Sequence, residues 1–328
     1  MSGAAARTER AALAGLAAAW VALVPAHAPA QAWPVKPVRL VIPFAPGGGA
    51  DIVGRMLAAR LGEATGQSVL ADNRAGAGGN VGAELVARSP ADGHTVLLTT
   101  NSIAVNASLY PKLGYSLARD LAPVSLIANI PLVLVVHPSV PAKTVRDLVT
   151  LARGRKGGLN YGSNGSGTTS HLSGVLFALE SGASMTHVPY KGGGAVMTAL
   201  LAGEVDFGFN ALITVQQYLR SGRLRALAVT TPEPAPAAPG LPTVASTYPG
   251  FATELWHGVF LPAGVPDAVL GRVHEEVLKA LRSAEMRSAL ERDGATPVGT
   301  TPAEFTAILA REVAKYARLV KASGAQPE

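Results

Sequence analysis

From Val38 onward, short apolar runs rich in β-branched residues or leucine alternate with stretches whose apolar positions recur every three or four residues. Runs of the first kind cover 38–43, 67–71, 94–99, 132–136, 159–162, 185–188, 205–209 and 225–229 and read as strands. Between them, sets such as Ile52, Val53, Met56, Leu57 and Leu61 place one apolar stripe along a helix. Strand and helix in alternation is the pattern of a parallel sheet covered by helices, so the predicted class is α/β. Two helix starts carry strong punctuation. Thr144 with Asp147 forms a capping box ahead of Val145, Leu148, Val149 and Ala152. Thr301-Pro302-Ala303-Glu304 combines an N-cap threonine, proline at the first helical position and glutamate at the third, opening a helix whose Phe305, Leu309 and Tyr316 should pack on the core.

Two interruptions divide this pattern. The apolar run Leu121–Val136 is broken by Asn129-Ile130-Pro131, and residues 231–236 are dense in proline directly after a strand. A chain of 328 residues exceeds the size at which one core usually keeps growing. Crossings at these points predict one lobe of residues 129–231 and a second, discontinuous lobe of 33–128 plus 232–328. Between them runs a cleft, and ligands of open parallel sheets sit beyond the carboxyl ends of the strands.

Two glycine-rich turns follow strands on that side. The first contains Phe44, Pro46, Gly47, Gly48 and Asp51; the second runs from Ser163 through Gly167, Thr168, Thr169 and Ser170 to His171. The first N–H groups of a helix lack intrahelical partners, and the aligned peptide dipoles place about half a positive charge there, so such turns hold an anion without a basic side chain. Two of them are expected to grip one small carboxylate from both sides. Asp51 reads as a capping carboxylate rather than an acid or base, and His171, in the first helical turn, as neutral and hydrogen-bonded. The hydroxyls of the second turn are expected to donate to the carboxylate. Further candidates stand at strand ends: Thr99, Thr100, Asn101 and Ser102 after one strand, and Asn210 after another. Arg74 is either a carboxylate clamp or an ordinary surface residue, and Trp256 reads as core.

Charge and composition narrow the function. The net charge of +6 is spread thinly, and the densest cluster, Arg153-Gly154-Arg155-Lys156, has no interleaved aromatics, so no nucleic-acid partner is expected. Arg7 and Arg10, an apolar run over 11–24 and the small residues Ala30-Gln31-Ala32 read as an export signal cleaved after Ala32, giving a periplasmic protein. The chain lacks cysteine, which excludes disulfides and thiolate sites. No G-x-G-x-x-G, P-loop or G-x-S-x-G is complete, the seven histidines lack metal-ligand spacing, and neither metal nor cofactor is expected.

The sequence resembles the periplasmic solute-binding proteins of tripartite tricarboxylate transporters, the Bug family. The matching stretches are Ile42-Pro43-Phe44-Ala45-Pro46-Gly47-Gly48 with Asp51, Asn73-Arg74 with Gly76-Ala77-Gly78-Gly79-Asn80, Leu109-Tyr110-Pro111-Lys112-Leu113, Tyr161-Gly162-Ser163 with Gly167-Thr168 and Ser170-His171-Leu172, His187-Val188-Pro189-Tyr190-Lys191-Gly192-Gly193, and Pro262-Ala263-Gly264-Val265-Pro266. Ala75 and Asn164 depart from the family's common proline and serine. The resemblance implies a two-lobed Venus flytrap of the type II periplasmic binding class, a monomeric, non-catalytic receptor holding a small carboxylate between its lobes. It implies carboxylate loops at 44–48 and 163–170, a specificity position at Asn210, and the transporter's membrane components as partner. A sensor subunit docking on a membrane signalling receptor and a secreted hydrolase using His171 with a neighbouring serine are the alternatives.

Overall fold

The computed structural model describes residues 33–47, 49–190, 192–292 and 294–327, Arg292 by its backbone alone. The expected export signal, 1–32, and Gly48 of the first glycine turn lie outside the described residues.

The strands are β1 (Val38–Ile42), β2 (Val69–Asn73), β3 (Thr95–Thr100), β4 (Leu121–Val136), β5 (Leu159–Ser163), β6 (Met185–Pro189), β7 (Phe207–Ala211), β8 (Arg225–Val229), β9 (Glu254–Pro262) and β10 (Thr296–Pro297). They form one sheet in the order β2-β1-β3-β9-β4-β7-β5-β6, with β8 and β10 also paired to β4. The helices are α1 (Gly49–Thr65), α2 (Asn80–Ala87), α3 (Ser102–Leu109), α4 (Leu117–Asp120), α5 (Val145–Gly154), α6 (Thr169–Ser181), α7 (Gly193–Ala202), α8 (Leu212–Arg220), α9 (Asp267–Arg282), α10 (Ala284–Arg292) and α11 (Pro302–Ser323). Pairing is parallel among β2, β1 and β3 and among β6, β5 and β7, and antiparallel through β9 and β4 at the centre.

The strand expected at 225–229 forms with those bounds, whereas the pattern missed the first part of one strand, β4, and the whole of another, β9. β4 begins at Leu121, eleven residues before the predicted strand, and is continuous through Pro131. Its first part ladders against β9, while Leu132–Val136 pairs with β7 and β8, so a single strand belongs to both lobes. Proline cannot donate to a ladder, and the register slips by bulges between Pro123 and Ser125 and again between Leu126 and Ala128. β9 escaped detection because Trp256 through Pro262 are buried on both faces, which erases the alternation of a half-buried strand.

Three apolar clusters follow from this topology. One is common to both lobes: Val41, Leu97 and Phe260 join Phe177, Phe207 and Phe209, sealed by Phe305 and Tyr316 of α11. Leu40, Ile42, Val53 and Leu57 fill the other face of the first lobe, and Val133, Val135, Val196 and Leu200 that of the second. Each such buried side chain contributes about 1.5–3 kcal/mol relative to exposure. After β8 the chain stays against the second lobe: Ala235 and Ala238 pack with Val133 and Val135, and the Phe251 ring stacks on Phe209 at 5.9 Å. It returns where Thr253 N–H donates to Thr230 O at 3.2 Å. Both expected capping boxes form, at Thr144 with Asp147 and at Thr301 with Glu304, Pro302 opening the latter helix.

Candidate functional site

The carboxyl ends of β3, β5 and β7 converge on a cavity of about 240 Å³. The first lobe contributes Thr100, Asn101, Ser102 and Val105 to its wall, and the second contributes Ala211 and the turn residues Asn164, Gly167, Thr168, Thr169 and Ser170. Leu132 of β4 and Leu255 of β9 close it where the lobes join. No lysine, arginine or histidine is among the described residues of this wall.

On the first lobe, Thr100 Oγ1 donates to Ser102 Oγ at 3.0 Å, which leaves the Ser102 proton to point elsewhere. Asn101 is 1% exposed and ties three parts of the molecule together. Its Nδ2 lies 2.9 Å from Thr169 Oγ1 across the cleft, 3.1 Å from the Glu254 carbonyl and 2.9 Å from Tyr316 Oη of α11. Because Thr169 Oγ1 accepts from Asn101, the Thr169 hydroxyl proton is available to a ligand.

The turn between β5 and α6 satisfies most of its own backbone. Asn164 N–H donates to Ser170 Oγ (3.0 Å), Gly165 N–H to Ser163 Oγ (3.2 Å) and Gly167 N–H to His171 Nδ1 (3.0 Å). Thr168 is the N-cap, its Oγ1 accepting from His171 N–H at 3.4 Å and donating to Gly165 O at 2.7 Å. The N–H groups of Thr169 and Ser170 have no acceptor among the described residues, as expected for a helix start that receives an anion. Gly167 has φ +73°, and a Cβ there would stand 2.5 Å from Leu109 Cδ2 of α3, so glycine permits the lobes to touch. His171 is buried and uncharged: burial first, and the adjacent His187 second, bring it down to about 3. Ser163 is fully buried and bonded to His187 Nε2 (2.6 Å) and Gly165, so its hydroxyl faces away from the cavity.

The expected residues thus divide. Thr100, Asn101, Gly167, Thr168, Thr169 and Ser170 come together in the cavity, while Ser163 and His171 support the turn from behind. The described residues of the first glycine turn are not in this wall. Asp51 is spent within it, accepting from Gly47 N–H (2.8 Å), Arg55 Nε (3.0 Å) and Asn73 Nδ2 (2.9 Å), and the Arg55 bond is the leading cause that lowers it to about 2. Phe44 lies over Gly79, Pro46 and Gly47 are exposed, and the partner that faces the second turn across the cavity is β3–α3 instead. Asn210 misses the wall by one residue: its neighbour Ala211 lines it, and alternation along β7 turns Asn210 toward Gly208 with Nδ2 buried and unpartnered. Arg74 pairs with Asp72 at 3.0 Å, and Trp256 packs edge-on against Phe305. Val105, Leu132, Ala211 and Leu255 were not singled out in the sequence as site residues, since small and apolar residues give no chemical signal, and Asn164 stood out only as a departure from the family's serine. Among the described residues no cluster of His, Asp or Glu is placed to hold a metal, and no helix is long and apolar enough to cross a membrane.

Residues 53–325 match the model of the tripartite tricarboxylate transporter family receptor. Protein BugT of Bordetella pertussis is 36% identical over 300 residues, covering 90% of this chain and 92% of that one. An R. palustris protein solved with adipate is 38% identical with a TM-score of 0.77, covering 90% of this chain and all of the other. MatC from Rhodopseudomonas palustris, solved with bound malate, is 29% identical with a TM-score of 0.72, over 88% of this chain and all of that one. The α/β architecture is therefore the two-lobed, type II periplasmic-binding fold that the motifs implied, and this chain belongs to the tripartite tricarboxylate transporter receptor family.

Proposed function

We propose that this protein is a non-catalytic receptor, exported to the periplasm by residues 1–32, that closes two lobes around a small organic carboxylate and delivers it to the membrane components of a tripartite tricarboxylate transporter. The observation that carries the reading is the cavity wall, in which hydroxyls and helix starts of both lobes meet without a cationic side chain. Neutral donors and helix dipoles suffice for a carboxylate, and only a closed cleft completes them. The adipate and malate of the two solved relatives support the ligand class. In this reading the hydroxyls of Ser102 and Thr169 and the N–H groups of Thr169 and Ser170 hold the carboxylate, while Val105, Leu132 and Leu255 meet its body. The first turn, with Phe44, Pro46, Gly47 and Asp51, shapes the outer lip of the cleft, and Asn210 sets the position of Ala211. The lobes are 33–128 plus 253–328 and 129–252, the second crossing falling at Thr253 rather than at the expected 232 because residues 235–251 pack on the second lobe, and the receptor works as a monomer without cofactor.

The test is a melting curve of the purified protein with adipate, with malate, and with the dimethyl ester of each. At a hundredfold excess over its dissociation constant a ligand stabilises by about 2.7 kcal/mol, a shift on the order of 4 °C for a chain of this size. The acids should shift the curve and the esters should not. Equal shifts from acid and ester, or none from these acids and from any compound released by denaturing the protein, would overturn the reading. Affinity capture of membrane proteins with the adipate-loaded receptor should retrieve transporter subunits; a signalling receptor alone would replace delivery by sensing.

A further inference from the structure

Behind the turn between β5 and α6, His171 and His187 stack face to face, ring centroids 3.6 Å apart and planes 9° from parallel. Each ring is bonded to a different end of the turn. His171 Nδ1 accepts from Gly167 N–H at 3.0 Å, which places its proton on Nε2. His187 Nε2 lies 2.6 Å from Ser163 Oγ, and that hydroxyl donates to Gly165 O at 3.1 Å. With the serine proton given to Gly165, His187 Nε2–H is the donor to Ser163 Oγ. His171 is thereby neutral with its proton on Nε2, and His187 carries a proton on Nε2. A proton on His171 Nδ1 removes the acceptor of Gly167 N–H, and a second charge in the stack repels the first at contact distance.

Among the described residues no carboxylate is paired with either ring. Tyr161 of β5 covers the pair, its ring centroid 5.1 Å from that of His187 and 6.4 Å from that of His171, and Phe207 of β7 lies behind Tyr161. Polar groups bonded to the pair's residues are the Ser163 hydroxyl at His187 Nε2, the Thr168 hydroxyl, which accepts from His171 N–H, and the Tyr161 hydroxyl, which donates to the His171 carbonyl. Charged residues on these elements lie elsewhere: Glu180 sits at the far end of α6 beside Gly250, and Asp206 is bonded to Asn160 N–H and Arg155. Tyr190 and Val196, of the β6–α7 connection and α7, pack on Gly162, which points to the opposite face of β5.

We propose that His171 and His187 are positioning residues for the ligand: as a stacked pair they hold Gly165 and Gly167 so that the turn presents its helix start to the cavity, and protonation of His171 releases it. The inference rests on the reading that this turn holds the carboxylate. Burial, and for His171 also the neighbouring ring, bring the two imidazoles to about 3 and about 4. Both lie below the unfolded value of about 6.5, so the unfolded chain binds more protons; the stability they contribute is whole above that pH and is lost as pH falls through 4 and 3.

The test combines imidazole NMR and amide exchange on the ligand-free protein with adipate titrations of the same variants. Neither ring should titrate between pH 8 and 5, His171 should carry its proton on Nε2, and the Gly165 and Gly167 amides should lose protection as pH falls toward about 3, where His171 protonates. His187→Ala should raise exchange at both glycines at least tenfold at pH 7 and weaken adipate about tenfold, and His187→Gln, which restores a donor to Ser163, should recover most of both. The ratio of wild-type to His171→Gln affinity, in which the ligand's own titration cancels, should fall toward acid pH. A ring titrating near pH 6.5, unchanged exchange in His187→Ala, or a pH-independent ratio would overturn the proposal. Should adipate not bind the parent protein, the NMR and exchange readings still decide the positioning role, and the failure falls on the functional reading instead.

Discussion

The hydroxyl of Thr168 is used up as the cap of α6, accepting from His171 N–H and donating to Gly165 O, whereas that of Thr169 accepts from Asn101 and keeps its proton for the cavity. Sequence alone lists Ser163, Thr168, Thr169 and Ser170 as equivalent donors, because which hydroxyl caps the helix depends on where the turn begins to coil. The two threonines therefore part company on mutation. Thr169→Val should weaken adipate by about 1–3 kcal/mol, the cost of leaving a charged acceptor short of a donor, with a nearly unchanged melting temperature. Thr168→Val should cost about 1 kcal/mol of stability through the lost cap. Calorimetric titration beside melting curves checks both, and equal losses of affinity would refute the division. His187 was legible only as part of a motif: a single histidine on a strand announces nothing until the partner strand brings Ser163 and His171 to it.

At the scale of elements, the parallel strands and capped helices were readable because each carries a local signal, an alternating run or an N-cap triplet. β9 carries none. Its identity depends on β3 and β4 on either side, and Gly258 in its middle makes room for the fully buried ring of Phe305, whose Cζ would stand 2.4 Å from a Cβ. Gly258→Ala should accordingly destabilise by about 1–3 kcal/mol, since the core ring has to shift. Denaturant unfolding measures it, and a loss below half a kcal/mol would show that Phe305 relocates freely. The cavity suffered from the same blindness. Glycine turns marked helix starts correctly, but which two starts face each other is set by strand order, and β9 standing between β3 and β4 brings the β3–α3 turn, rather than the described residues of the first glycine turn, opposite α6.

For the whole molecule, the Asn101–Thr169 bond and the Leu109–Gly167 contact join the lobes across the cleft, while β4 and β9 join them behind it. Closure should therefore bend the connecting strands near Asn129–Leu132 and Thr253–Leu255 and leave each lobe rigid. Small-angle scattering should give a smaller radius of gyration with adipate than without. Gly167→Ala, which places a side chain against Leu109 at a positive φ, should stay expanded at adipate concentrations that close the parent. An identical radius for parent and variant under all conditions would remove this contact from the closing surface. The central place of β9 also bears on how the chain is made. Its residues 254–262 are inserted between strands that end at Thr100 and start at Leu121, so the first lobe cannot complete its sheet until about four fifths of the polypeptide has left the ribosome. Contacts between such distant segments form slowly. A chain we propose to be exported would thereby meet the translocation machinery with the sheet of its first lobe still open, a consequence of the same strand order that builds the cleft.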